Sequence, residues 1–334
     1  MAIPANMKAV EITEPGDPHV LKPCTTEVPS IGPAEVLIRV FAAGVNRPDC
    51  MQRKGFYRVP PDASVFPGLE VAGEVAACGA EVERWQVGDR VVALTHGGGY
   101  AEYCCVNGGH CLPWPEKMNS VQAAGLPETC FTVQYNLLTR AALSGEDVVL
   151  IHGGSSGIGS TAIQVAKSLG SSVIITAGSD EKCDYCLALG ADHAINYRSN
   201  DWLQEALKIT DGRGVDVVLD MVAGPYVEQN LELLALDGRY AMIAFLLGSK
   251  AEVDYMHVLS KRLTMTGSML RPQTPAQKST IANDCEATLW PMIERGELKS
   301  MVFANFPMAD AAGAHELMES SQHMGKIVLQ VVPD

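Results

Sequence analysis

Between His152 and Gly159 the chain reads His-Gly-Gly-Ser-Ser-Gly-Ile-Gly, directly after the apolar run Val148-Val149-Leu150-Ile151. An apolar strand that enters a glycine turn and leaves as a helix is suited to holding phosphate. The first amides of a helix have no internal partners, and the aligned peptide dipoles add partial positive charge there. Glycine lets the backbone approach an anion without a Cβ in the way. Gly154, Ser156, Gly157 and Ile158 are the residues placed to meet a pyrophosphate. The spacing is G-x-x-G-x-G and not G-x-G-x-x-G, so the strand and helix on either side carry the argument. The chemistry this predicts is dinucleotide binding.

The end of the next strand should choose between NAD and NADP. A site for NAD places an acidic residue there, to bind the ribose 2′-hydroxyl. Here the strand ends Thr176-Ala177-Gly178-Ser179, which leaves room for a 2′-phosphate. Lys182 lies one helical turn on and can reach that phosphate, and Tyr197 and Arg198 can cover the adenine edge. Asp180 and Glu181 stand close by and argue the other way. The small residues at Gly178 and Ser179, with Lys182, favour NADPH.

These residues need a scaffold. After the glycine turn the spacing predicts a helix over Ile158–Leu169 and a strand over Ser172–Thr176. A helix over Glu181–Leu189 and a short strand over Ala194–Tyr197 follow. Then come a helix at Trp202–Thr210, a strand at Val215–Asp220 and a helix at Val227–Leu236 ended by Asp237-Gly238. Strands at Arg239–Ala244 and Arg262–Met269 complete the series. Strands that alternate with helices and are apolar on both faces imply a doubly wound parallel sheet. Residues 7–115 differ: they hold short strand signals punctuated by Gly and Pro, a mostly β module. The tail Ile327–Val332 returns to a β pattern and is expected to rejoin that module.

Composition narrows the function classes. The 334 residues suffice for two domains, and the net charge of −14 disfavours nucleic acid as a partner. No apolar run reaches the about 18 residues of a membrane span. The N-terminus lacks the pattern of a secretory signal. The 10 cysteines show no paired metal-ligand spacing, and Cys183 and Cys186 form a lone C-x-x-C on an expected helix. Reduced thiols in the cytoplasm are the expectation.

Val148–Gly159 with Gln164 resembles the medium-chain dehydrogenase/reductase superfamily, in its zinc-free quinone oxidoreductase branch. Ala42–Asp49, Phe66–Gly73, Val87–Val91, Gly99–Tyr103 and Gly325–Val328 fit the same branch. Met51–Tyr57 with Pro60–Ser64 most resembles the p53-inducible quinone oxidoreductase subgroup. The resemblance spans nearly the whole chain. It implies an α/β protein: a GroES-like β domain over 1–126, completed by 271–334, and a Rossmann NADPH-binding domain over 127–270. It also implies an active site in the cleft between them. Zinc-dependent members carry Cys where this chain has Asn46, and His where Leu69 precedes Glu70, so no metal is expected. A short-chain dehydrogenase has a similar glycine turn. It needs a Tyr-x-x-x-Lys pair, however, and no Tyr here is followed by Lys at that distance.

A quinone is already an electrophile, so its reduction needs close positioning more than a metal. Tyr57 and Asn46 are the catalytic candidates. Asn46 offers an amide to the cofactor, and Tyr57 offers a hydroxyl to the ribose or the substrate carbonyl. By alignment with the family, Thr132 touches the nicotinamide side, and Phe245, Leu246, Leu247, Ser268 and Leu270 line its pocket. Family members pair across the last Rossmann strand, which suggests a homodimer. The acceptor stays open between a quinone and the activated double bond of an enone or enoyl thioester. A cofactor-binding structural or regulatory protein is the alternative without catalysis.

Overall fold

Fifteen strands run in chain order among the described residues, 3–332 of the computed structural model. They are β1 (Asn6–Ile12), β2 (Leu21–Glu27), β3 (Glu35–Val45), β4 (Glu70–Cys78), β5 (Arg90–Leu94), β6 (Tyr103–Asn107), β7 (Cys111–Pro113), β8 (Val148–His152), β9 (Ser172–Ala177), β10 (His193–Asn196), β11 (Val215–Asp220), β12 (Leu234–Met242), β13 (Thr264–Gly267), β14 (Val302–Pro307) and β15 (Lys326–Gln330). The chain divides into two compact units. The first holds 1–131, 271–290 and 300–334, and the second holds 132–270 and 291–299.

The first unit is built on a sheet in the order β14-β15-β3-β4-β5-β7, with β6 also pairing β3 and β1-β2 forming a separate ribbon. The long strand β3 organises it, and Val36, Ile38 and Val40 on one face enter a core with Val71, Val75, Val91 and Ile327. β15 joins β3 antiparallel, Ile327 opposite Val45, so the tail completes the first sheet.

The second unit carries a sheet in the order β10-β9-β8-β11-β12-β13, and every pairing in it is parallel. This is the doubly wound order, in which the chain leaves β8 first to one side and then to the other. Leu150, Ile174, Val218 and Tyr240 are buried in its core. The expected GroES-like and Rossmann architecture is therefore the architecture found.

Several boundaries differ from the sequence pattern, each for a local reason. Pro127 is the first residue of the helix Pro127–Val133, and the units change at 131/132, inside that helix, instead of at 126/127. Proline suits a first helical position, so here it opens an element and does not mark a domain boundary. Residues 291–299 belong to the second unit because Gln164 exchanges hydrogen bonds with Lys299 and Ser168 donates to Glu297. The helix expected at Val227–Leu236 stops at Leu233, where Leu234 turns extended (φ −58, ψ 138) and starts β12. Asp237-Gly238 then forms a bulge in that strand, with Asp237 at φ 60. The last strand is shorter than Arg262–Met269, because Arg262 (φ 55) closes the helix Met256–Lys261. The helices Arg47–Arg53, Pro275–Glu294 and Ala311–Ser320 carry no clear signal in the sequence pattern.

Candidate functional site

In a parallel sheet all the turns that follow the strands lie along one edge. The second unit therefore gathers there the turns after β8, β9, β10, β11, β12 and β13. β8 ends at His152, and Ser156 caps the helix Gly157–Leu169 by accepting from the Gly159 amide at 3.0 Å. The glycines of the turn are required by packing as well as by any ligand. Gly153 sits at φ +66, a Cβ on Gly154 would lie 2.7 Å from Ile175, and one on Gly159 would lie 2.4 Å from the Gly153 carbonyl.

At the end of β9, a Cβ on Gly178 would lie 2.7 Å from the Tyr197 hydroxyl and 3.6 Å from Arg198 Nε. Ser179 caps the next helix, Asp180–Ala188, through the Lys182 amide. Lys182 and Arg198 are close enough for Arg198 to press the lysine pKa down, after burial has done most of it. Asp180, the acidic candidate for a ribose hydroxyl, accepts instead from Asn196 Nδ2 at 2.7 Å. Gly178, Tyr197 and Arg198 thus meet at the end of β9, with Lys182 within Coulombic reach of Arg198.

Further along the same edge, Leu246 and Leu247 donate their amides to the carbonyls of Met221 and Val222, which ties the turn after β12 to the turn after β11. Phe245, Leu246 and Leu247 keep their side chains exposed. Ser268, just past β13, donates to Asn136 Oδ1 at 2.8 Å, and Asn136 Nδ2 donates to the Thr132 carbonyl at 3.0 Å. Leu270 and Thr132 are buried. Thr132 is thus linked through Asn136 to the turn after β13.

The first unit carries a buried polar cluster around Asn46, the residue before the helix Arg47–Arg53. Asn46 Nδ2 donates to Glu70 Oε1 at 2.8 Å, and Lys326 Nζ donates to Asn46 Oδ1 at 2.7 Å. Lys326 also forms an ion pair with Glu70 at 2.6 Å, and both side chains are buried. The second oxygen of Glu70 accepts from the Glu128 amide at 2.8 Å. Gly44 makes room for this carboxylate, since a Cβ there would meet Glu70 Oε1. Asp49 accepts from the amides of Asn46 and Gly68, and burial raises its pKa to about 6 against those bonds. Glu128, desolvated and near the charge of Glu70, is raised to about 8, so it holds its proton at neutral pH. Glu70, Glu128 and Lys326 were not singled out from sequence as site residues. Their partners are distant in the chain, and only the Gly325-Lys326 and Leu69-Glu70 motifs hinted at two of them.

Tyr57 is half-buried on the segment after that helix. Desolvation raises its pKa, and Arg271 opposes the rise. The Arg271 guanidinium carbon is 5.5 Å from the Tyr57 ring centre. Arg271 donates to Gln52 at 2.7 Å, and Lys278 donates to the Arg271 carbonyl at 2.9 Å. Sequence reasoning stopped one residue short of Arg271, at Leu270. A lone Arg after an apolar pair carries no local signal of its surroundings.

Residues 32–116 match the alcohol dehydrogenase GroES-like domain family, and residues 157–284 match the zinc-binding dehydrogenase family. The quinone oxidoreductase of Sus scrofa is 32% identical over 97% of this chain and 97% of its own. The chain belongs to the medium-chain dehydrogenase/reductase superfamily. Within this superfamily, a mycobacterial protein solved as a complex with NADPH superimposes with a TM-score of 0.86, at 30% identity over 97% of this chain and 100% of that one. The CurK enoyl reductase also gives a TM-score of 0.86, at 28% identity over 99% of this chain and 100% of that one. This medium-chain fold is an oxidoreductase fold with a nicotinamide-binding unit. No helix among the described residues is long and apolar enough to cross a membrane.

Proposed function

We propose that this protein is an NADPH-dependent, zinc-independent quinone oxidoreductase. The observation that supports the cofactor choice is the end of β9, where Gly178 lies against Tyr197 and Arg198, Arg198 acts on the charge of Lys182, and Asp180 is engaged by Asn196. It suits a 2′-phosphate, which needs space and positive charge together. The glycine turn fits the pyrophosphate, and Thr132, Phe245–Leu247, Ser268 and Leu270 suit the nicotinamide end. The quinone oxidoreductase relative supports the acceptor class.

When bound, the reduced nicotinamide supplies a hydride. The chain positions, excludes water and manages protons. Asn46 is held by Glu70 and Lys326, which fixes the orientation of the second N–H of its amide. Tyr57 places a hydroxyl, fully protonated at neutral pH, where it can donate to an acceptor carbonyl. The residues at the superfamily's zinc positions do not suit zinc. They offer the Asn46 amide in place of the thiolate and the Leu69 alkyl chain in place of the imidazole, and the Lys326 ammonium already occupies Asn46 Oδ1 and the neighbouring Glu70 carboxylate. No step runs through a metal.

A second reading, reduction of an activated C=C bond, is favoured by the likeness to an enoyl reductase. NADPH oxidation against a panel of quinones and enones separates the two. Turnover of quinones alone supports the first reading, and of enones alone the second. No turnover of any acceptor, with tight NADPH binding kept, removes both. We also propose a homodimer formed across β13, whose outer edge is unpaired among the described residues and flanked by exposed Met256, Leu259 and Met265. Sedimentation at micromolar concentration tests it, and a monomer would refute it. The ten cysteines are all free, which suits the cytoplasm.

A further inference from the structure

Arg271 is a buried cation with an incomplete set of partners. It is 5% exposed, and only Nη1 is bonded, to Gln52 Oε1 at 2.7 Å. Nε and Nη2 are buried and donate to nothing among the described residues. These two nitrogens form the side-on edge of the guanidinium, the pair of parallel donors that matches a carboxylate. A buried charged donor left unpaired is costly, so its place calls for a function.

The surroundings keep that edge positive. Lys278, 3% exposed, sits behind Arg271 with its Nζ on the Arg271 carbonyl and 3.2 Å from His96 Nδ1. The nearby acidic groups are otherwise engaged. Asp49 accepts from two backbone amides, the exposed Asp62 lies 3.5 Å from His96, and Glu128 keeps its proton. Gly97, at φ +104, brings bare backbone to the same spot: a Cβ there would stand 3.2 Å from Nη2. The Tyr57 ring lies on another side. Tyr57 is half-buried and lies on a turn two residues after Gly55, which has φ +79.

We propose that Arg271, backed by Lys278, is a carboxylate subsite, and that the preferred acceptor carries a carboxylate that Nε and Nη2 take as a bidentate pair beside Tyr57. The acceptor half of this rests on the reductase reading above; the anion half does not. Two charge-assisted bonds should favour a carboxylated acceptor by roughly ten- to a hundredfold in kcat/KM over its neutral parent.

The test uses the full chain in two arms. In the first, kcat/KM is compared for 1,4-naphthoquinone and the same quinone bearing a propionate. In the second, benzoate binding is measured by calorimetry without any acceptor. The expected result is a preference of at least tenfold for the propionate quinone and measurable benzoate binding. Both should be lost in Arg271→Met and weakened in Arg271→Lys, which keeps the charge without the fork. NADPH binding serves as the folding control, and if the Met variant fails it, the Lys variant decides. If no quinone is reduced but benzoate binds in an Arg271-dependent way, the reductase reading fails and the anion site stands. Benzoate binding with no preference between the quinones overturns the assignment to the acceptor. Absence of both preference and benzoate binding overturns the subsite.

Discussion

Replacing Lys326 by Met should destabilise the first unit selectively. Among the described residues the ammonium is the one cation on the buried Glu70 carboxylate, at 2.6 Å, and it also satisfies Asn46 Oδ1 at 2.7 Å. Removing one partner of a buried ion pair costs about 3–5 kcal/mol, because the other charge stays in the interior unpaired. Glu70 keeps the Asn46 amide and the Glu128 amide, both at 2.8 Å, which puts the cost near the lower end. A cost of about 3 kcal/mol lowers protection of slowly exchanging amides by roughly a hundredfold. Hydrogen exchange read by mass spectrometry reports on β3, β4 and β15 separately from β8–β12, so the two units serve as each other's control. Adding Glu70→Gln to the Lys326→Met chain should restore most of the loss, because the buried charge is then gone. A loss below tenfold in the single variant, or a double variant no better than the single, would refute the reasoning.

Two glycines should respond in opposite ways. Gly154→Ala drives a Cβ to 2.7 Å from the fully buried Ile175 and should cost about 1–3 kcal/mol in a melting experiment. Gly178→Ala meets the exposed ends of the Tyr197 and Arg198 side chains, which can move, so the melt should hardly change while the NADPH Kd rises several-fold. The raised pKa of Glu128 gives a pH effect with a defined sign. Between its ordinary 4.5 and about 8 the unfolded chain has lost a proton that the native state keeps, so stability falls as pH rises through that window. Urea midpoints at pH 5 and pH 8 should differ less in Glu128→Gln than in the native chain, the remainder coming from groups such as Asp49, itself raised to about 6. Tyr57→Phe should lower kcat/KM for quinones by about tenfold, and an unchanged value removes Tyr57 from the site.

The second unit was the more legible in sequence. Its strands are continuous apolar runs such as Val148–Ile151, and its helices end on glycines such as Gly170, at φ 99. Local chemistry sets both, so both are readable locally. Several of the dinucleotide candidates follow the ends of parallel strands, whereas Thr132 and Lys182 lie on helices. Asp237-Gly238 misled because a helix stop and a strand bulge use the same residues, and only the pairing of β12 with β11 separates them. The first unit hid more. Glu70 and Lys326 look like surface charges until β4 and β15 flank β3 on its two sides, and Arg271 has nothing beside it in sequence to show that it is buried. Charges that meet across a sheet leave no periodic trace along the chain.

A reductase on this chain is proposed to use NADPH because Lys182 and Arg198 place positive charge near the end of β9. The direct test is the ratio of kcat/KM for NADPH to that for NADH, with one quinone, in the native chain and in Lys182→Ala. The predicted ratio is roughly a hundredfold or more, and it falls by at least tenfold in the variant, as expected for loss of a charge-assisted phosphate contact. Equal use of NADPH and NADH by the native chain, or a ratio that survives Lys182→Ala unchanged, would contradict it.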